Sequence, residues 1–422
     1  MEIKLTENIK IEMNLPIKKV ESFQYSWKPD CHAQLQLIGY IDVTIPWNPI
    51  LCYDSYVKLW NVKGEKIQIL FQGCITGMEI NSAGGIDQVF LKVTSASSQL
   101  DRQNFSSSFQ NPKMTYGEAV RQSVQNEGGQ VIRNQESDKK IGYPVIRDEE
   151  TAWQFAERMA ENLGISIIPD IETGRPNLWF GMRIGKEVTS LSEDEYSILL
   201  RPIGNKIGTR IQVKGQDFYK IGDFMTYMGK KIVITEVDGQ FKQGELIFLY
   251  TLVDMPIREK SCNSSYPAGL GYWGTIIDVK EESIRLALDI DHGEDTGEYY
   301  YPWCPITGNS LYAVPEVGAK ALLYFNRENF QDGMVVHCMN QKPENTRNYQ
   351  SRAFNIQNGD TITMFEETVN ILKGKNHSLS LSDYSISAGT VNKLKILAKK
   401  KIQLKADDSS IETPEDLDIF QG

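Results

Sequence analysis

Few residues in this 422-residue chain have the types and spacing that catalysis or metal binding needs. The six cysteines are Cys31, Cys52, Cys74, Cys262, Cys304 and Cys338, and no two form a C-x-x-C pair. Most neighbour apolar or aromatic residues, which predicts reduced thiols buried in a core. Cys31-His32 and His337-Cys338 together have the composition of a Cys2His2 zinc set. Neighbours on a strand point to opposite faces, so an adjacent Cys and His do not readily share one metal. There is no H-E-x-x-H, and His32, His292, His337 and His377 are a thin supply of general bases. Gly269, Gly271 and Gly274 spell G-x-G-x-x-G. A dinucleotide loop needs a strand before it and a helix after it. Here a Ser-Pro loop precedes, and the β-branched run Thr275-Ile276-Ile277 follows.

Two acidic groups remain. Asp289, Asp291, His292, Glu294, Asp295 and Glu298 offer oxygen ligands, but Gly293 falls at the fifth position rather than the sixth of an EF-hand loop. A solvated loop is expected there. Glu149, Glu150, Glu157 and Glu161 have the chemistry of a glycosidase carboxylate pair. A helix accounts for them more simply, with acids near its N-terminus and the others on its wet face. No G-x-S-x-G elbow occurs. The expectation is therefore no catalytic residue, no cofactor and no metal.

Composition agrees. Hydrophobic residues are 41% and charged residues 24%, an ordinary globular balance. The net charge of -10 argues against nucleic acid as a partner, because phosphate binding needs clustered cations. Lys395, Lys399, Lys400, Lys401 and Lys405 are a local exception, read as edge-strand protection. Met1-Glu2-Ile3-Lys4-Leu5 lacks a signal-peptide core, and no apolar run approaches the roughly 18 residues of a membrane span. The chain is expected to start in a cytosol and to leave by another route.

The elements that would position these residues are mostly strands. Ala33, Leu35 and Leu37 alternate at a period near two, and a hairpin is predicted from Gly77-Met78-Glu79-Ile80 through Ala83-Gly84-Gly85 to Val89–Val93. Thr115 and Glu118 form a capping box for a helix to about Asn126. A second helix, started by Asp148 or Thr151, carries Ala152, Phe155, Ala156, Met159, Ala160 and Leu163 at helical spacing and ends at Gly164. Short strands are expected at Ile165–Ile168 and Leu178–Phe180. Residues 208–254 read as a small antiparallel barrel with glycine turns, and resemble residues 55–95 in style, a weak sign of internal duplication with Ile247–Thr251 in the place of Val89–Val93. A linker covers 258–271. A second all-β unit runs from Tyr272 to about Gln341. Beyond it, Leu379–Leu381, Leu394–Leu397 and Ile402–Leu404 are short alternating strands that suit intertwining between identical chains.

Three stretches carry a resemblance. Tyr143-Pro144-Val145-Ile146-Arg147-Asp148 through Trp153, Phe155, Arg158 and Ala160 looks like the helix of phage late-control D and VgrG hubs. Tyr301-Pro302-Trp303, Val314-Pro315-Glu316-Val317-Gly318, Leu322–Phe325 and Asp332–Val336 look like the OB-fold that follows the hub. Leu394–Ala398 and Ile402–Ala406 look like the start of a trimeric β-prism needle. The chain thus resembles the baseplate hub and spike proteins of contractile injection systems. The resemblance implies a mainly β fold: a first hub barrel at 1–110, a helical α/β hub subdomain at 111–189, a second hub barrel at 190–260, a linker at 261–271, an OB-fold at 272–345 and a short trimeric β-prism needle at 346–422. It implies a homotrimer that joins a hexameric inner tube protein and baseplate subunits to a threefold needle. Two tube-forming barrels per chain would make a pseudo-hexameric ring. Contact with a target-cell envelope would be transient, and the protein would be assembled in a bacterial cytoplasm and delivered outward on contraction. No H-x-H tip motif is present, so a separate PAAR-like tip protein or a cargo is expected to cap the needle. The acidic segment Thr413–Asp418 is expected to be frayed or to serve in docking. The competing expectations are a peptidoglycan-degrading tail enzyme, and a cell-surface glycan-binding module using exposed Trp27, Trp60 or Trp273.

Overall fold

The computed structural model describes residues 2–41, 55–188, 196–203, 206–254, 268–305, 313–327, 330–339, 352–355 and 359–401. The chain divides into two units, Met1–Gln341 and Lys342–Gly422. The fold is mainly β, as expected, and among the described residues no helix is long and apolar enough to cross a membrane.

The first strands are β1 (Glu2–Lys4), β2 (Ile9–Met13), β3 (Ile17–Trp27), β4 (Gln34–Ile41), β5 (Tyr56–Lys63), β6 (Lys66–Ala83) and β7 (Ile86–Ser95). After an α/β segment come β13 (Tyr196–Ile203), β14 (Lys206–Gly215), β15 (Phe224–Tyr227), β16 (Lys230–Lys242) and β17 (Glu245–Val253). These two groups share one sheet, in the order β1-β2-β5-β6-β7-β4-β3-β16-β17-β14-β13, with β15 beside β16. The junction is β3 against β16, from Val237↔Trp27 to Phe241↔Phe23. Residues 208–254 therefore do not close as a barrel of their own. Period-two alternation puts Phe23, Tyr25, Trp27, Leu35, Leu37, Leu91, Val237, Phe248 and Tyr250 on one buried face, in a core common to both groups.

The α/β segment contains β8 (Phe105–Phe109), α1 (Tyr116–Gln125), β9 (Val131–Arg133), β10 (Val145–Glu150), α2 (Ala152–Leu163), β11 (Ile167–Pro169) and β12 (Leu178–Phe180). Both helices open on capping boxes: Thr115 with Glu118, as the sequence predicts, and Thr151 with Gln154. Thr151, not Asp148, starts the second helix, because Asp148 to Glu150 are held in β10 against β8. Gly164 takes the left-handed cap at φ 69°. The helices meet over Val120, Val124, Phe155, Ala156 and Met159, all fully buried.

A five-stranded antiparallel sheet follows: β18 (Gly271–Lys280), β19 (Ser283–Leu288), β20 (Tyr301–Pro302), β21 (Lys320–Phe325) and β22 (Gly333–Met339), in the order β20-β19-β18-β21-β22. A parallel bridge, Trp303↔Val335, brings its two outer strands together and closes it around Ile276, Leu286, Leu323 and Phe325. Gly318, at φ 90°, makes the turn that feeds β21, a backbone state that favours glycine. Gly271 and Gly274 lie within β18, with no helix after them.

The second unit holds β23 (Arg352–Asn355), β24 (Thr361–Met364), β25 (Thr368–Lys373), β26 (His377–Ser382) and β27 (Ile386–Thr390), paired antiparallel in chain order. The expected strand at Leu394–Leu397 is absent. Those residues are exposed, and among the described residues no strand pairs with them. Ile402–Leu404, Thr413–Asp418 and most of the expected linker lie outside the described residues, as do Cys52 and Cys262.

Candidate assembly interface

The segment Tyr143–Ala160 forms a joint between the α/β segment and the five-stranded barrel. Arg158 of α2 donates to Glu150 from Nε at 2.7 Å and Nη2 at 2.6 Å, and to the Ile146 carbonyl at 2.8 Å. Its guanidinium lies over Phe155 of its own helix and over Phe330, beside β22. Nη1 is buried without a hydrogen-bond partner, so the ring faces supply the remaining stabilisation of that charge. Asp148 accepts from the Tyr272 hydroxyl at 2.8 Å, and burial pushes that phenol well above its usual range. Glu150 is thus no helix-dipole acid: it is half of a bidentate ion pair. No acid lies in the first turn of α2.

A second lock joins β8 to the barrel. Asp291 accepts from the Ser108 amide at 2.6 Å and from the Ser108 hydroxyl, and Gln110 links Ser108, Thr296 and Tyr301. The acidic run is not a wholly solvated loop. Asp291 is buried, and its carboxyl is pushed up chiefly by desolvation, against the bonds from Ser108. Asp289 pairs with Lys320, and Asp295 with Arg285 at 3.3 Å.

Tertiary structure also assembles a Ser–His–Asp set that the sequence spacing hides. His32 Nδ1 lies 2.9 Å from Ser97 Oγ, and Nε2 lies 2.8 Å from Asp101 Oδ2. A nucleophile must reach its substrate. Ser97 is wholly buried, bonded to Ser95 at 2.8 Å, and His32 lies against the Trp153 ring at 4.1 Å. Asp101 also accepts from Thr151, the N-cap of α2. The set fastens α2 to the end of β7.

The other candidates stay apart. Among the described residues no group of three or more His, Cys, Asp or Glu is placed to hold a metal. His337 lies against Trp273, away from any cysteine–histidine cluster. The described cysteines are free, but the buried-core expectation fails: Cys31 and Cys304 are exposed, and Cys74 and Cys338 are half-buried. Trp27 and Trp60 are buried and Trp273 is half-buried, so none is an exposed sugar platform. A groove of about 570 Å³ crosses the β3–β16 junction on the face away from the core, lined by Gln24, Gln34, Gln36, Gln240, Lys214 and Asp238. It contains one carboxylate, whereas glycoside hydrolysis uses two.

The large sheet contains an internal repeat. Strands run β3-β4-β7-β6-β5 in one half and β13-β14-β17-β16-β15 in the other, all antiparallel. A bulge at Thr76 in β6 matches one at Thr235 in β16. Through this register Val89 corresponds to Phe248, Leu91 to Tyr250 and Gly39 to Gly215. Val89–Val93 thus matches Phe248–Leu252, one residue on from the match expected from sequence. The bulges, invisible in the sequence, set this offset.

In the second unit, register sorts residues by face. Phe354, Ile362, Ile371, Leu379 and Ala388 form one row, and Met364, Val369, Leu381 and Ile386 lie beside it on the same face. The other face carries Thr361, Thr363, Asn370, Ser378, Ser380 and Ser387, with Leu372 its one large apolar residue among the paired positions, and Ser380 donates to Asn370 at 2.6 Å. Phe354, Ile362, Ile371, Leu381 and Ile386 are all exposed within the single chain.

This architecture is similar in fold to a type VI secretion component and to a chain of a VgrG complex. No protein-family model matches the chain, and no curated protein matches it. Among solved structures, the E. coli c3393 protein is described as a type VI secretion component similar to the T4 bacteriophage tail proteins gp27 and gp5. It superposes at TM-score 0.54 and 11% identity, over 78% of this chain and 99% of its own. A chain of the Francisella PdpA–VgrG complex superposes at TM-score 0.57 and 8% identity, over 91% of this chain and 80% of its own.

Proposed function

We propose that three copies of this chain form the hub and spike at the tip of a contractile injection machine, joining a hexameric tube and baseplate subunits to a puncturing needle. The observation that carries this reading is the one-layer sheet β23–β27. A sheet with one apolar and one polar face is stable when the apolar face is covered, and no core of its own covers it among the described residues. Three copies that turn these faces inward bury Phe354, Ile362, Ile371, Leu379 and Leu381 together. The repeat in the large sheet supports two pseudo-equivalent tube-facing parts, at 1–110 and 190–260 around the α/β segment at 111–189, as two halves of one shared sheet in place of two separately closed hub barrels. The strand order and parallel closure at 272–345 support an OB-fold, and 346–422 is the needle. The chain's contribution is stiffness and symmetry matching, with no bond made or broken. A PAAR-like tip protein or cargo caps the needle, contact with the target envelope is transient, and assembly takes place in the bacterial cytoplasm.

Light scattering on the purified chain tests the assembly. The expected mass is near three times 47.9 kDa. A particle that stays at the single-chain mass counts against self-assembly through the needle.

A further inference from the structure

The repeat shows how one half-sheet joins the next. In β16, residues 230–233 pair with β15, and past the bulge residues 237–241 pair with β3. In β6, the ladder to β5 ends at Cys74, and past the bulge residues 77–83 have no partner on that side among the described residues. The counterpart of β3 is β13, whose far edge is likewise unpaired among the described residues. The first half thus offers the edge that the second half uses, and the second half offers the strand that the first half uses.

We infer that β6 of one copy pairs antiparallel with β13 of a neighbouring copy, in the register Met78–Leu200, Glu79–Leu199, Ile80–Ile198, Asn81–Ser197 and Ser82–Tyr196. This register is the in-chain junction transferred through the repeat. It rests on the multimeric reading above and names the surface and partner, a second copy of this chain, that the hub part uses. Three observations support it. First, Tyr196, Ile198 and Leu200 stand on the core side of the sheet, opposite Val213, Ile211 and Thr209, yet are 52%, 40% and 62% exposed. Met78 and Ile80 reach the same side and are only partly buried. The pairing covers all five, which an open apolar edge strand requires if it is not to aggregate.

Second, side-chain sizes compensate. At the in-chain junction Gly239 faces Tyr25, and a Cβ on Gly239 would meet the tyrosine ring at 2.4 Å. At the inferred junction the corresponding pair is Ile80 with Ile198: two medium side chains replace one large and none. Phe23 stacks on Phe241 at 5.2 Å, and the corresponding pair is Tyr196 with Ser82. Third, charge is kept. Lys28 lies 3.9 Å from Asp238 across the in-chain junction, and their counterparts in sequence are Arg201 and Glu79. Two repeats per chain and three copies then close one ring of six junctions, three within chains and three between them.

Paired cysteines test the register. Asn81→Cys and Ser197→Cys are placed in one chain, and Gln24→Cys with Gln240→Cys serves as the in-chain control. Both sites face away from the core, so folding should survive. Under mild oxidation the double variant is expected to run on denaturing gels as a covalent trimer, while each single variant stays at the level of the wild type. A particle that is trimeric by light scattering but forms no such crosslink overturns the junction and leaves the hub-and-spike reading in place. A stronger crosslink from Asn81→Cys with Leu199→Cys overturns the register, and a disulfide closed within one chain overturns pairing between copies. A double variant that stays monomeric counts against both the junction and the trimer.

Discussion

At the scale of residues, the strongest contributions are buried charges with defined partners. Arg158 holds Glu150 through two bonds in a site where both are largely shielded from water. Arg158→Ala leaves a shielded carboxylate unpaired, and urea unfolding should report a loss of about 3 kcal/mol. Arg158→Lys should recover only part of it, because an ammonium cannot supply the planar fork. Asp291 gives a pH dependence. Desolvation raises its folded-state value above the unfolded one, although Ser108 and Thr296 pull the other way. Its contribution to stability is therefore full below the ordinary carboxylate range and is lost as pH rises through the raised value. The stability of wild type relative to Asp291→Asn should be greatest in acid and should shrink toward neutral pH, as read from unfolding curves across that range. Glu118 has the opposite sign. Bonds from the Thr115 amide and hydroxyl hold it below the usual range, so its contribution is present near neutral pH and fades on acidification.

At the scale of elements, caps and junctions decide. Thr151 accepts from the Gln154 amide at 3.1 Å and donates to Asp101, so it both starts α2 and ties it to β7. Thr151→Ala should cost at least the roughly 1 kcal/mol of a lost cap, measured by thermal or urea unfolding. Gly239 is small because Tyr25 lies across it. Gly239→Ala should destabilise by about 1–3 kcal/mol through overpacking. The corresponding Ile80→Ala should cost the isolated chain only what its partial packing on the core supplies and should in addition weaken association, read as a lower mass by light scattering, because its cross-strand partner is inferred to belong to another copy.

At the scale of the whole molecule, the apolar face of β23–β27 needs a second layer. Asp placed at Ile362 and Ile371 should lower the solution mass toward one chain, while the unit Met1–Gln341 keeps its β-rich circular dichroism. If the mass is unchanged, the needle is not what holds the copies together.

Much of the framework was legible in local sequence. Period-two alternation placed β3, β4 and β7. The Thr115–Glu118 box and Gly164 bounded the helices, and the Pro315–Gly318 turn led into β21, because each signal acts within a few residues. The candidate site was less legible. Ser97, His32 and Asp101 lie up to 69 residues apart, Asp291 meets Ser108 across 183, and Arg158 meets Phe330 across the joint. No spacing rule connects them. The sequence also read Asp148 to Glu150 as part of a helix start and the cysteines as core residues. Pairing of β10 with β8 and the exposure of Cys31 and Cys304 decided otherwise. By itself, then, the sequence determined both helices, many of the strands and the mainly β class, with only a weak sign of the repeat. The tertiary structure alone decided the bulges at Thr76 and Thr235, the in-chain β3–β16 junction and the open edges of β6 and β13. Register depends on which strand lies beside which, and a shift of one residue turns every side chain to the other face.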